Sequence, residues 1–132
     1  MITLKNKQLT VQIAELGAEL QSIKDAKGKE YLWQGDPAFW PRRSPILFPI
    51  VCSVNDDTYT VDGKQYHLSR HGFARDTMFE VTDQSDTDVT LALESNEETL
   101  KIYPFQFVLS VCYTLEENHI SVMWHVENID TK

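Results

Sequence analysis

Apolar residues in this chain recur mainly at every second position. Ile2 and Leu4, then Leu9, Val11 and Ile13, alternate on either side of Lys5-Asn6-Lys7. That period gives a half-buried strand one apolar face, and the polar tripeptide predicts a turn. Leu16 to Ile23 predicts another extended piece ended by Asp25-Ala26-Lys27-Gly28, although Ile13, Leu16 and Leu20 also fall at helical spacing. Tyr31-Leu32-Trp33 predicts a short strand, and Asp36-Pro37 a turn or single helical turn carrying Phe39 and Trp40. Prolines at 41, 45 and 49 exclude a long helix there, and Ile46-Leu47-Phe48 with Ile50-Val51 predict buried chain. Thr58 to Val61 and Lys64 to Leu68 flank Asp62-Gly63, a dipeptide suited to the positive φ angles of a tight hairpin turn.

Met78 to Val81 predicts the next strand, and Val89, Leu91 and Leu93 alternate cleanly after it. Asn96 to Leu100 has the look of a capped turn. The strongest hairpin signal comes last. Phe107, Leu109, Val111, Tyr113 and Leu115 alternate, Glu116-Glu117-Asn118 turns the chain, and Ile120, Val122, Trp124 and Val126 alternate again. There is no long amphipathic helix, internal repeat, low-complexity tract or linker. About ten short strands at close spacing predict an all-β antiparallel sandwich or barrel.

Composition narrows the class of partner. At 132 residues, 42% of them hydrophobic, the chain is long enough for one domain with a core. A formal net charge of −8 with no Lys/Arg-rich block argues against nucleic acid or an anionic membrane as partner. No window approaches the ~18 apolar residues of a membrane span. Met1 to Asn6 lacks the apolar core of a signal peptide. Cys52 and Cys112 make neither a disulfide framework nor a metal-ligand spacing, so the expected location is cytoplasmic.

The densest chemistry lies in Arg70-His71-Gly72-Phe73-Ala74-Arg75. An imidazole titrates near pH ~6.5, and two flanking guanidinium groups would favour its neutral form, able to hydrogen-bond a hydroxyl. The plainer alternative is a solvated loop with a surface histidine. Phe73 argues against it, because an aromatic inside the loop should pin it to a core. Arg42 and Arg43 lead into apolar chain, where a guanidinium needs an acceptor. A structural ion pair and ligand binding are both open for them. His67, His119 and His125 are expected to be structural or exposed. Asp56 and Asp57 could orient a loop, with no spacing that makes them catalytic.

These blocks also form a series. Glu30-Tyr31-Leu32-Trp33-Gln34-Gly35-Asp36-Pro37, Trp40, Ser44-Pro45-Ile46-Leu47-Phe48-Pro49-Ile50-Val51, Asp62-Gly63-Lys64 with Tyr66, and His71-Gly72-Phe73-Ala74-Arg75 together resemble the aldose 1-epimerase (galactose mutarotase-like) family. Within it the likeness is to the bacterial LacX-type branch. The resemblance implies a large antiparallel β-sandwich with few or no helices, and a protein that interconverts the α and β anomers of a hexose. It implies a catalytic role for His71, near the sugar ring oxygen, and substrate-binding roles for Arg43 and Arg75, with the register between Arg42 and Arg43 open. In relatives acting on hexose 6-phosphates an arginine at the position of Arg75 helps hold the phosphate, so a hexose phosphate is admitted beside a free hexose.

The likeness covers the N-terminal portion of the family's domain. Residues 1–132 are therefore expected to be a single incomplete domain, a truncated form of low or no activity. The family's second histidine and its glutamate base match no residue here. Cys52 stands where relatives carry glycine after Phe-Pro-x-Val, a change expected to disturb the backbone near Arg43. Half a sandwich is expected to expose strand edges and to self-associate through them. The alternative function is carbohydrate binding or regulation without turnover.

Overall fold

A computed structural model of the chain describes residues Met1–Lys132 and contains nine strands in three antiparallel sheets. The first sheet joins β1 (Ile2–Lys5), β2 (Leu9–Ile13) and β3 (Leu20–Asp25) in sequence order. Its register sets Ile2 opposite Ile13 and Leu4 opposite Val11, so the alternating apolar residues share one buried face. A separate hairpin, β4 (Thr58–Val61) and β5 (Lys64–His67), turns at Asp62-Gly63, both with positive φ. The third sheet is β6 (Glu80–Gln84), β7 (Asp88–Glu94), β8 (Phe107–Glu116) and β9 (His119–Asn128), again in sequence order.

The core forms between the first and third sheets. Val89, Leu91 and Leu93 of β7 stand opposite Tyr113, Val111 and Leu109 of β8, and all six are buried. They join Ile2, Leu4, Val11 and Ile13 of the first sheet in one cluster of sixteen buried apolar residues. The two inner faces interdigitate as in a β-sandwich. Polar ties hold the layers in place. The Tyr113 hydroxyl donates to the Ala18 carbonyl at 2.7 Å, and the Asn6 amide to the Glu117 carbonyl at 2.7 Å. Burial pushes the Tyr113 phenol pKa up, so it remains a donor.

Between β7 and β8 runs α1 (Glu97–Ile102). Six residues are too few for a stable isolated helix, and none of the chain's helices is long and apolar enough to cross a membrane. Asn96 compensates locally: its side chain accepts from the amides of Glu98 and Thr99, and the Thr99 hydroxyl accepts from the Asn96 amide.

Three expectations are corrected. Tyr31-Leu32-Trp33 is not a strand; pairing stops at a single bridge between Lys24 and Glu30. The Glu30 carboxylate accepts from the amides of Ile23, Tyr31 and Leu32 at 2.7, 3.2 and 3.0 Å, satisfying them without a partner strand. The Leu16–Ile23 piece is interrupted rather than continuous. Gly17 and Ala18 both take positive φ, so β3 begins only at Leu20. Of Ile46 to Val51, Ile46 is buried but Val51 is 68% exposed.

β9 departs from its pattern in a different way. Ile120, Val122, Trp124 and Val126 lie opposite the buried Leu115, Tyr113, Val111 and Leu109, hence on the core side of the sheet. Yet Val122, Trp124 and Val126 are 45%, 60% and 55% exposed, because β9 is the sheet edge and no second layer covers it.

Candidate functional site

Ser69 to Arg75 links β5 to the strands of the third sheet, and the aromatics fix its course. Phe73 packs with Phe48, Tyr103 and Phe107 at ring separations of 6.2, 6.4 and 6.0 Å. Phe107 is buried in the core, so the loop is pinned as its aromatic residue predicts. Beneath it, the Phe48 carbonyl accepts from the amides of Phe73 and Ala74 at 3.0 and 3.2 Å. Gly72 makes this approach feasible. Its φ is +71°, and a Cβ there would lie 2.1 Å from the Phe48 oxygen.

His71 is held by a reciprocal pair. Its amide donates to the Cys52 carbonyl at 2.9 Å, and the Cys52 amide donates to His71 Nδ1 at 2.9 Å. An acceptor Nδ1 means that the proton of the neutral ring sits on Nε2. Arg70 Nε lies 3.3 Å from Nε2 with its own N–H turned toward that atom, so Arg70 has to turn aside before Nε2–H can meet an acceptor. Partial removal from water, then the charges of Arg70 and Arg75, lower the His71 pKa below its usual value. His71 is thus a fixed, neutral hydrogen-bond donor. Cys52 takes φ +65°, a left-handed conformation natural to glycine, while carrying a side chain.

The arginine pair separates by role. Arg42 Nη2 donates to Asp76 at 2.7 Å in an ion pair. Arg43 has no such partner, and its buried Nε has no hydrogen bond. Its backbone is clamped instead, since Glu19 Oε1 accepts from the amides of Arg43 and Ser44 at 2.9 and 2.8 Å. Arg75 Nη2 donates to the Arg70 carbonyl at 3.0 Å, its Nε lies 3.6 Å from Asp76, and that Nε is also without a hydrogen bond. Asp76 therefore ties Arg42 to Arg75, and Arg75 ties both to the loop of His71. Glu19 and Asp76 were not legible as parts of this cluster from their sequence positions, apart from Asp76 following Arg75 directly.

All four arginines of the chain, residues 42, 43, 70 and 75, belong to this cluster, although the net charge is −8. Its two carboxylates are engaged, Glu19 by amides and Asp76 by guanidinium groups. His67, His119 and His125 are exposed and outside it. Asp56 and Asp57 form an exposed 3-10 turn where the Asp57 carbonyl caps Leu68 at 2.9 Å. Depressions of about 490 Å3 (along Glu80, Leu93 and Asn96) and about 380 Å3 (along Leu9, Tyr31 and Ile120) are lined by neither His71 nor Arg43 nor Arg75. No group of three or more His, Cys, Asp or Glu side chains is placed to hold a metal ion.

The chromosomal and plasmid LacX proteins of Lactococcus lactis subsp. lactis are each 41% identical to it over 136 aligned residues, covering 99% of this chain and 46% of each relative. A galactose mutarotase-like protein from Lactobacillus casei superposes with a TM-score of 0.96 at 47% identity, covering 100% of this chain and 45% of that one. A galactose mutarotase related enzyme from Lactobacillus acidophilus does so with a TM-score of 0.94 at 44% identity, covering 96% and 43%. The chain thus spans less than half the length of these relatives. A family model described as aldose 1-epimerase matches residues 1–132. With its antiparallel sandwich and a likeness to LacX along 99% of its own residues, the chain belongs to the aldose 1-epimerase family.

Proposed function

We propose that the arginine–histidine cluster binds an aldohexose, free or phosphorylated, and contributes to interconverting its α and β anomers by acid–base ring opening. The observation that carries this reading is the neutral His71, fixed by Cys52 in a cluster that gathers all four arginines of the chain. Ring opening needs a proton delivered to the ring oxygen while another group removes one from the C1 hydroxyl. His71 suits the oxygen side, and Arg43 and Arg75 suit the hydroxyls or a phosphate, where bidentate guanidinium contacts are strong. No metal or organic cofactor enters this chemistry. We propose a cytoplasmic location as well, which the two free cysteines support.

A second reading, sugar binding without turnover, has one observation in its favour. Both carboxylates of the cluster already hold partners, Glu19 the amides of Arg43 and Ser44 and Asp76 the guanidinium groups. Under either reading the uncovered β9 edge favours self-association. Polarimetry of freshly dissolved α-galactose and α-glucose with the chain separates the two. Accelerated mutarotation supports catalysis. Binding seen by NMR without acceleration supports the second reading, and absence of both overturns the sugar assignment.

A further inference from the structure

We infer that Trp33, Phe39 and Trp40 form an aromatic subsite that packs on the apolar face of the sugar whose hydroxyls Arg43 holds; this rests on the sugar function proposed above. Trp33, Phe39 and Trp40 are 44%, 81% and 47% exposed, a concentration of large apolar surface in eight residues of loop. The loop is built to hold that shape. Trp33 Nε1 donates to the Trp40 carbonyl at 2.9 Å, and the amides of Phe39 and Trp40 donate to the Asp36 carbonyl at 3.0 and 2.9 Å. Trp33 and Phe39 meet edge to face at 6.3 Å. The indole N–H of Trp33 is therefore spent within the loop, leaving ring faces as the surface on offer.

The neighbouring residue decides what such a surface suits. A pyranose has a face of C–H groups and a rim of hydroxyls, so it needs an apolar platform and donors side by side. Arg43 provides the donors. At Gly35, between Trp33 and Phe39, a Cβ would come within 3.5 Å of Arg43 Nη1 and 2.9 Å of the Pro41 carbonyl, so the absent side chain lets the guanidinium pass close to the aromatic loop. Arg43 Nε is buried and unpaired, and no carboxylate ion-pairs with the guanidinium, so its Nη groups are the donors on offer. A purely apolar partner would leave those guanidinium donors unmet. A hydroxyl-bearing ring gains from both.

The test is NMR titration of the chain with galactose, glucose and galactose 6-phosphate, with saturation transfer read proton by proton on the sugar. The expected result is strongest transfer to C–H protons of one pyranose face, and an affinity about fivefold weaker in Phe39→Ala and in Trp40→Ala. Trp124→Ala, on β9, is expected to leave the affinity unchanged. Should Trp40→Ala disturb the loop, Phe39→Ala decides alone, because a ring so exposed has little packing to lose. Unchanged affinity in the aromatic variants with a clear loss in Arg43→Ala overturns the subsite and leaves the sugar function standing. Unchanged affinity with reduced self-association assigns the patch to copy–copy contact and overturns it as well. No sugar binding by the unsubstituted chain overturns the sugar function and the subsite together.

Discussion

Protonating His71 at Nδ1 would set its new N–H against the amide of Cys52, which now donates to that atom at 2.9 Å. The ring is held neutral by geometry as well as by burial and the two arginines. NMR titration of the imidazole should therefore give a pKa below ~6.5. The stability consequence follows in sign. A depressed histidine pKa means that the unfolded chain protonates first, so the contribution of His71 is complete above the unfolded value and is lost as pH falls toward the folded one. Denaturant midpoints should drop across that interval, and His71→Asn should flatten the dependence. Asn Oδ1 can accept the Cys52 amide in place of Nδ1, and asparagine tolerates positive φ, so this variant tests the lost Nε2–H with the loop preserved. If catalysis runs through that proton, the variant should slow mutarotation by about 10²–10⁴-fold.

Cys52 supplies a second residue-scale prediction. A left-handed conformation costs an L-residue about 1–2 kcal/mol, and glycine's extra chain entropy returns about 0.5–1 of that. Cys52→Gly should thus stabilise the fold by about 0.5–1 kcal/mol, seen as a higher urea midpoint at unchanged slope. A stability loss instead would mean that the thiol makes packing the backbone strain does not reveal. The pairing of His71 with Cys52 was not legible in the sequence, because the two lie nineteen residues apart and meet only through the folded loop. The separate fates of Arg42 and Arg43 were hidden for the same reason: Asp76, more than thirty residues on, selects Arg42.

Elements this short depend on single contacts. α1 carries Tyr103 at its end into the aromatic cluster that seats Phe73, and its first turn relies on Asn96. Asn96→Ala should cost about 1 kcal/mol, measurable as a lower thermal midpoint. Gly72→Ala should cost more, above about 3 kcal/mol, since a Cβ 2.1 Å from the Phe48 carbonyl forces the loop off its seat. The hairpins were readable wherever apolar alternation and a turn dipeptide coincided, as at β4–β5 and β8–β9. The failures came where a side chain stood in for a strand, as Glu30 does, or where two left-handed residues broke an extended run, as Gly17 and Ala18 do. Alternation reports which face a side chain takes. It cannot report whether anything covers that face.

At the scale of the molecule two features pull against each other. The uncovered inner face of β9, with Val122, Trp124 and Val126 exposed, favours burial against another surface, and its unpaired backbone edge offers hydrogen bonds to a strand. A net charge of −8 on every copy opposes that approach. Salt screens the repulsion, with the Debye length falling from about 30 Å at 0.01 M to about 8 Å at 0.15 M, while apolar burial is little affected. Self-association measured by sedimentation velocity should therefore strengthen between these conditions. Antiparallel pairing of two β9 strands centred on Trp124 would set Val122 opposite Val126 and Ser121 opposite Glu127, bringing no like charges face to face. Trp124→Lys places two ammonium groups at that centre and should return the chain to monomer at both salt concentrations, leaving His71 titration unchanged. Association that weakens with salt would mean that contacts between the arginine cluster and acidic surface, rather than the β9 edge, hold the copies together.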